Sequence, residues 1–258
     1  MKYTGILLLF VMLSACGVAL KNPVKQTSHK QIYLLLGQSN MAGRGKVTDE
    51  YKAMQHERVL MLNKKMEWVP AQHPIHFDKP KAAGVGPGLS FAATLADVYP
   101  KDTIYLVPCA VGGTSIAKWE PGAYDQATDT HPYEDALLRI KAAMKTGKIT
   151  GAIWLQGESD SSPAKSSGYL DKLTALIARI RKETGNPVLP FIAGELGTFR
   201  ANYKLINDEL AKLPAKVPFT SLVSSKDLVH KGDTTHFDSP SAVEYGRRFG
   251  AGMLKLKK

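Results

Sequence analysis

The chain has 258 residues, 44% of them hydrophobic and 22% charged, with a formal net charge of +11. Length and composition suit one globular domain with a full core and exclude both global disorder and a multi-span membrane protein. The positive charge is spread over scattered lysines; it favours acidic polysaccharide or anionic lipid over neutral partners, and no nucleic-acid-binding motif accompanies it.

In chain order, Lys2 precedes an apolar run from Ile6 to Leu13, and Leu13-Ser14-Ala15-Cys16 closes it with small residues before a cysteine. The run is too short to span a hydrocarbon core of about 30 Å as a permanent helix. It reads as a lipoprotein signal peptide and lipobox over residues 1–16, with Cys16 as the lipidation site. A plainly cleaved signal with an incidental Cys16 is the alternative. Acyl chains on Cys16 would anchor the exported protein to a bacterial membrane. Gly17 after the cysteine, by likeness to the usual sorting pattern, favours the outer one, on either face. Residues 17–30 carry no hydrophobic period and read as a tether, so the domain spans 31–258. The one other cysteine, Cys109, ends an apolar run and reads as a core residue.

Within the domain, Ile32–Leu36, Thr103–Pro108, Ala152–Leu155 and Val188–Ala193 have the length and continuous apolarity of strands covered on both faces. Leu89–Tyr99, Glu134–Met144, Tyr169–Glu183 and a segment from about Pro240 to Leu254 carry helical periods, and Tyr203, Ile206, Leu210 and Leu213 form a further stripe. Strands alternating with helices predict an α/β fold, a three-layer α/β/α sandwich around a central parallel sheet. The Pro-, His- and Gly-rich stretch from Lys64 to Gly88 reads as a surface excursion.

Polar and glycine-rich segments follow these strands, where open parallel sheets place their ligand crevice. Gln38-Ser39-Asn40 comes directly after the first; a serine there is a nucleophile if a base is at hand, or a helix cap if not. Asp233-Thr234-Thr235-His236 offers that base: a carboxylate three residues before a histidine can hold its Nδ1 proton and free Nε2 for the serine. By spacing alone the pair also fits an ordinary surface loop. Ala110-Val111-Gly112-Gly113 lets backbone N–H groups approach a ligand, and the Gln156 amide could donate to an oxyanion. Each also reads as a turn. His73, His76 and Asp78 invite a zinc reading, but their spacing matches no recognised ligand set, so no metal and no cofactor is expected. Trp68 and Trp119 are candidates for stacking on a sugar, Trp119 the better placed because it follows the Gly112-Gly113 turn.

The segments GQSNMAGRG (37–45), GVGPGLSFA (84–92), VPCAVGGTSI (107–116), WLQGESD (154–160), DTTHFD (233–238) and EYGRRFG (244–250) resemble, in order, the sequence blocks of the carbohydrate-esterase branch of the SGNH hydrolases. That branch includes acetylxylan esterases of carbohydrate esterase family six and the sialate O-acetylesterase domain. The resemblance implies a flavodoxin-like fold and a serine O-acetylesterase that releases acetate from acetylated poly- or oligosaccharides through an acetyl-serine. It assigns Ser39 as nucleophile, His236 as general base and acid, and Asp233 as its orienting carboxylate. Ser39 and Gly113 N–H with the Gln156 side chain would form the oxyanion hole. Gln38, Asn40, Glu158 and Trp119 would be supporting or substrate-binding residues. Gln156 stands where the wider superfamily has asparagine, and Thr234 where relatives often carry glycine. GRRF after DTTHFD and the single domain point to an acetylxylan-type substrate; a sialate O-acetylesterase is the alternative within the family. A non-catalytic glycan-binding surface lipoprotein is the alternative outside it, and a lipase or thioesterase of the same superfamily a third.

Overall fold

The computed structural model describes Met1 and residues 29–257. Apart from Met1, the expected signal peptide and lipobox, with Cys16, and the tether up to residue 28 lie outside the described residues. No helix among the described residues is long and apolar enough to cross a membrane.

Seven strands form one sheet: β1 (Lys30–Gly37), β2 (Val59–Leu62), β3 (Trp68–Pro70), β4 (Thr103–Pro108), β5 (Ile149–Leu155), β6 (Phe191–Gly194) and β7 (Thr220–Val223), in the order β3-β2-β4-β1-β5-β6-β7. All neighbours run parallel except β3, which turns back along β2 as an antiparallel edge. The helices are α1 (Ser39–Ala42), α2 (Asp49–Ala53), α3 (Gly88–Val98), α4 (Pro132–Met144), α5 (Pro163–Ser166), α6 (Tyr169–Thr184), α7 (Lys204–Ala211), α8 (Leu213–Lys216) and α9 (Ser239–Leu256).

β1 shows why the sheet lies in the middle. Successive side chains of a strand point to opposite faces. Ile32, Leu34 and Leu36 join Trp154, Tyr169, Leu173 and Ile180 on one side, while Tyr33 and Leu35 join Phe91, Leu95, Tyr245 and Phe249 on the other. All five β1 residues are fully buried, each contributing on the order of 1.5–3 kcal/mol by leaving water. α4, α6 and α7 cover the first face and α3 and α9 the second, giving the expected three-layer sandwich.

α9 is what brings the end of the chain to the site. Asp238 caps it, accepting from Ser241 N at 2.8 Å, and Ser90 Oγ of α3 donates to Val243 O at 2.7 Å. The loop from β7 to α9 is thereby held above the carboxyl ends of the strands.

Three expectations need correction. The fourth expected strand begins three residues later, at Phe191, because Val188 is exposed and Asn186–Leu189 closes a turn. β2, β3 and β7 were not anticipated; none exceeds four residues. The stretch from Lys64 to Gly88 is not merely a surface excursion, since Ala71, His73, Ile75, His76 and Val85 are buried and Ala71 N donates to Val59 O at 3.0 Å.

Candidate active site

Ser39 stands two residues past β1, at the start of α1, with 6% of its surface exposed. Its Oγ lies 3.0 Å from His236 Nε2, and His236 Nδ1 lies 2.7 Å from Asp233 Oδ2. A carboxylate on Nδ1 fixes that nitrogen as the proton-bearing one, so Nε2 presents its lone pair and the Ser39 hydroxyl donates to it. Asp233 is fixed in turn: its Oδ1 accepts from Thr235 N at 3.0 Å and His236 N at 2.8 Å. Burial alone would raise the Asp233 pKa, but these N–H donors and the imidazole hold it well below the usual carboxylate range. Burial of His236 outweighs the pull of Asp233 and lowers the imidazole below its ordinary 6.5, assisted by Lys231 and Arg44.

The turn that carries Asp233 and His236 is bolted by Asn40 to α1, the helix that begins with Ser39. The Asn40 amide donates to Thr235 O at 3.0 Å and to Glu158 Oε1, while its Oδ1 accepts from Phe237 N at 3.1 Å. Burial raises Glu158 above the usual carboxylate range against the Asn40 bond that lowers it. Thr234 takes the left-handed backbone, φ 54°, where a β-branched residue is uncommon. Arg200 Nε donates to its carbonyl at 3.1 Å and Thr234 N to His230 Nδ1 at 3.3 Å, so the turn is pinned from both sides.

Gly113, with φ +89°, lies in the same cleft after β4. Among the described residues, neither Ser39 N nor Gly113 N has a protein acceptor, which leaves both N–H groups for a ligand oxygen. Gln156 is a different case. It is fully buried, and its Nε2 lies 3.0 Å from Gln38 Oε1, 3.1 Å from Thr114 O and 2.5 Å from Asp160 Oδ2. It braces the floor of the site with Gln38 instead of facing the cleft. Trp119 does not serve as a sugar platform either: it has no exposed surface, and its ring meets Trp154 edge-on at 5.2 Å in the core. Trp68 packs against Tyr105 at the sheet edge.

The cleft encloses about 910 Å³ over Ser39, His236 and Gly113. Its walls hold six cations, Arg44, Lys46, Lys79, Lys81, Arg200 and Lys231, and two carboxyl groups, Asp233 and Glu158. Tyr203 adds an aromatic ring. None of the six cations stands among the expected site residues; they come from four separate segments, and only Arg44 lies within one of the sequence blocks.

His73 and His76 are both buried, and burial lowers each to about 4. Their ring nitrogens have no hydrogen-bond partner, and no group of three or more His, Cys, Asp or Glu suited to a metal ion occurs among the described residues. Cys109 is buried and pushed up to about 12 by that burial.

Comparison with known proteins places this architecture. The family model described as carbohydrate esterase, sialic acid-specific acetylesterase, matches residues 29–255. A protein of Arabidopsis thaliana named "probable carbohydrate esterase" is 32% identical over 243 residues, 87% of this chain and 90% of its own. A solved Arabidopsis thaliana structure superposes with a TM-score of 0.78 at 30% identity, covering 87% of this chain and 98% of that one. NanS superposes with a TM-score of 0.69 at 17% identity over 88% and 97% of the two chains, a likeness of fold.

Proposed function

The chain belongs to the sialic acid-specific acetylesterase family of carbohydrate esterases, and from that premise we propose that it is a serine O-acetylesterase acting on acetylated glycans. One observation carries the reading: the Ser39–His236–Asp233 relay, with contacts of 3.0 and 2.7 Å, at the foot of an open cleft.

In this mechanism His236 Nε2 takes the Ser39 proton as Oγ attacks the acetyl carbonyl carbon. The oxyanion is met by the N–H groups of Ser39 and Gly113. His236 returns the proton to the departing sugar oxygen, leaving acetyl-serine; water, deprotonated by the same nitrogen, then releases acetate and restores Ser39. Asp233 stays ionised and stabilises the imidazolium. Attachment to a membrane through acyl chains on Cys16 belongs to the same proposal and is supported by the lipobox pattern alone.

On sequence blocks the substrate reads as acetylxylan. The cationic wall favours the second reading, an acetylated sugar that carries a carboxylate, as sialate does. Lys46, Lys79 and Lys81 form no ion pair among the described residues, and Arg200 bonds only neutral oxygens. Excess like charge around a cleft concentrates an oppositely charged substrate, and salt screens it. Acetate release should therefore be measured on acetylated xylan, O-acetylated sialic acid and a neutral aryl acetate at low and high salt. For the acid-bearing substrate kcat/KM is expected to fall roughly tenfold as salt rises from about 0.02 to 0.5 M, with the aryl acetate changing little. Equal salt responses would remove the anionic reading, and no acetate from any substrate would favour a glycan-binding role.

The lowered His236 pKa gives a further expectation. His236 acts as base only when neutral, and the burial that lowers its pKa extends the neutral form to more acidic pH than an ordinary imidazole allows. The acid limb of kcat/KM, which reports the free enzyme, is expected to have its midpoint below 6.5. A midpoint at or above 6.5 would contradict this assignment.

A further inference from the structure

We propose that Asp78, tied to Arg44, is a positioning residue that sets the direction of the Gly113 N–H; the proposal rests on the reading of that N–H as an oxyanion donor.

Asp78 belongs to the His-rich stretch before α3, and its side chain is 2% exposed. A single oxygen, Oδ2, accepts from Arg44 Nη2 at 2.8 Å and from Gly112 N at 2.8 Å. Arg44 lies two residues past α1, the helix that begins with Ser39, and its Nη1 donates to Gly43 O at 2.7 Å. One carboxylate oxygen thus joins the nucleophile's own turn to the loop after β4, and the separation of the two oxyanion donors is referred to it.

The peptide unit that bears the Gly113 N–H is bracketed. On its amino side Gly112 N is held by Asp78, and on its carboxyl side Gly113 O accepts from Ser159 Oγ at 3.0 Å. With both neighbouring peptides fixed, the middle one has little freedom to rotate, and its N–H is left without a protein acceptor. The fit leaves no spare room: a Cβ on Gly112 would stand 2.1 Å from Arg44 Nη2 and 2.9 Å from Asp78 Oδ2.

A carboxylate is the stronger acceptor for an N–H, and Asp78 is held in that form. Burial would raise its pKa, but Arg44 lowers it below the ordinary value. A purely structural ion pair would show itself in stability. A positioning role predicts a loss confined to the transition state, because preorganised donors act where charge develops.

The experiment compares wild type, Asp78→Asn, Ser159→Ala and Ser39→Ala as full chains, using an aryl acetate for kinetics and ¹⁵N-glycine labelling for the Gly112 and Gly113 amide resonances. Asp78→Asn is expected to lower kcat about a hundredfold, the order of one lost oxyanion donor, with KM within about twofold and both glycine resonances displaced. Ser159→Ala removes the second anchor on a part-exposed residue and should lower kcat several-fold, again without a change in KM. A folded Asp78→Asn within about threefold of wild-type kcat, a loss confined to KM, or unmoved glycine resonances would overturn the proposal. If Asp78→Asn does not fold, Ser159→Ala decides by the same criteria. If wild type shows no Ser39-dependent turnover, the acetylesterase reading fails by itself, and the glycine resonances still decide whether the clamp orients the loop.

Discussion

Ser39→Ala is expected to lower kcat for acetate release by at least roughly 10⁴-fold, the scale on which loss of a triad nucleophile is felt. The physical argument is local. Alanine removes one oxygen, which takes part in a single side-chain hydrogen bond, the one to His236. Binding surfaces of the cleft are untouched, so substrate affinity should hold while chemistry stops. Stability should change by less than about 1 kcal/mol, because no apolar group is removed and the new methyl fits the old volume. Acetate assays paired with thermal melts check both halves. A well-folded variant that keeps a tenth of the wild-type rate would mean that another group attacks the ester.

Gly37→Ala is expected to have the largest effect on stability, at least about 3 kcal/mol. Gly37 has φ +132°, a conformation that L side chains rarely adopt, and a Cβ there would stand 2.2 Å from Leu155 O, a backbone atom of the neighbouring strand. The contact cannot be relieved by a rotamer change. Gln38 N donates to that same Leu155 O at 2.9 Å, and Val111 N donates to Gly37 O at 3.0 Å. Relaxing the clash therefore disturbs the junctions of β1 with both β5 and the β4 loop. A urea titration measures the loss; a midpoint equal to wild type would show that the turn has room that the backbone geometry denies.

Legibility in the sequence followed burial. β1, β4 and β5 are covered on both faces, so they read as uninterrupted apolar runs, and α6 and α9 show their stripes because one side meets the sheet. β2, β3 and β7 lie at or near the edges and are too short for a period to emerge; Thr220-Ser221-Leu222-Val223 looks no different from a loop. The buried stretch containing His73 and His76 was missed because it is shielded by tertiary packing, without a repeating pattern that sequence can display.

At the candidate site, a strand end and a three-residue spacing offered Ser39, Asp233 and His236, each with an ordinary structural alternative, and only the resemblance of the sequence blocks joined them as a set. Gln156 and Trp119 show the limit of that logic. Position along the chain places both beside the crevice, yet Gln156 turns inward to Gln38 and Asp160, and a 3₁₀ turn from Ile116 to Trp119 delivers the indole to Trp154. Lys46, Lys79, Lys81, Arg200 and Lys231 were indistinguishable from the other scattered cations until the fold gathered them.

Ser39 and His236 are separated by 197 positions in the chain. Ser39 follows β1, the strand with which the described domain begins, and His236 stands just before α9, which packs on α3. The proposed nucleophile and its proposed base are therefore held together by tertiary packing alone, and by no local segment. In the proposed reading ester chemistry depends on the seating of α9 on α3, and loosening that contact is expected to part His236 from Ser39 while each local segment keeps its shape.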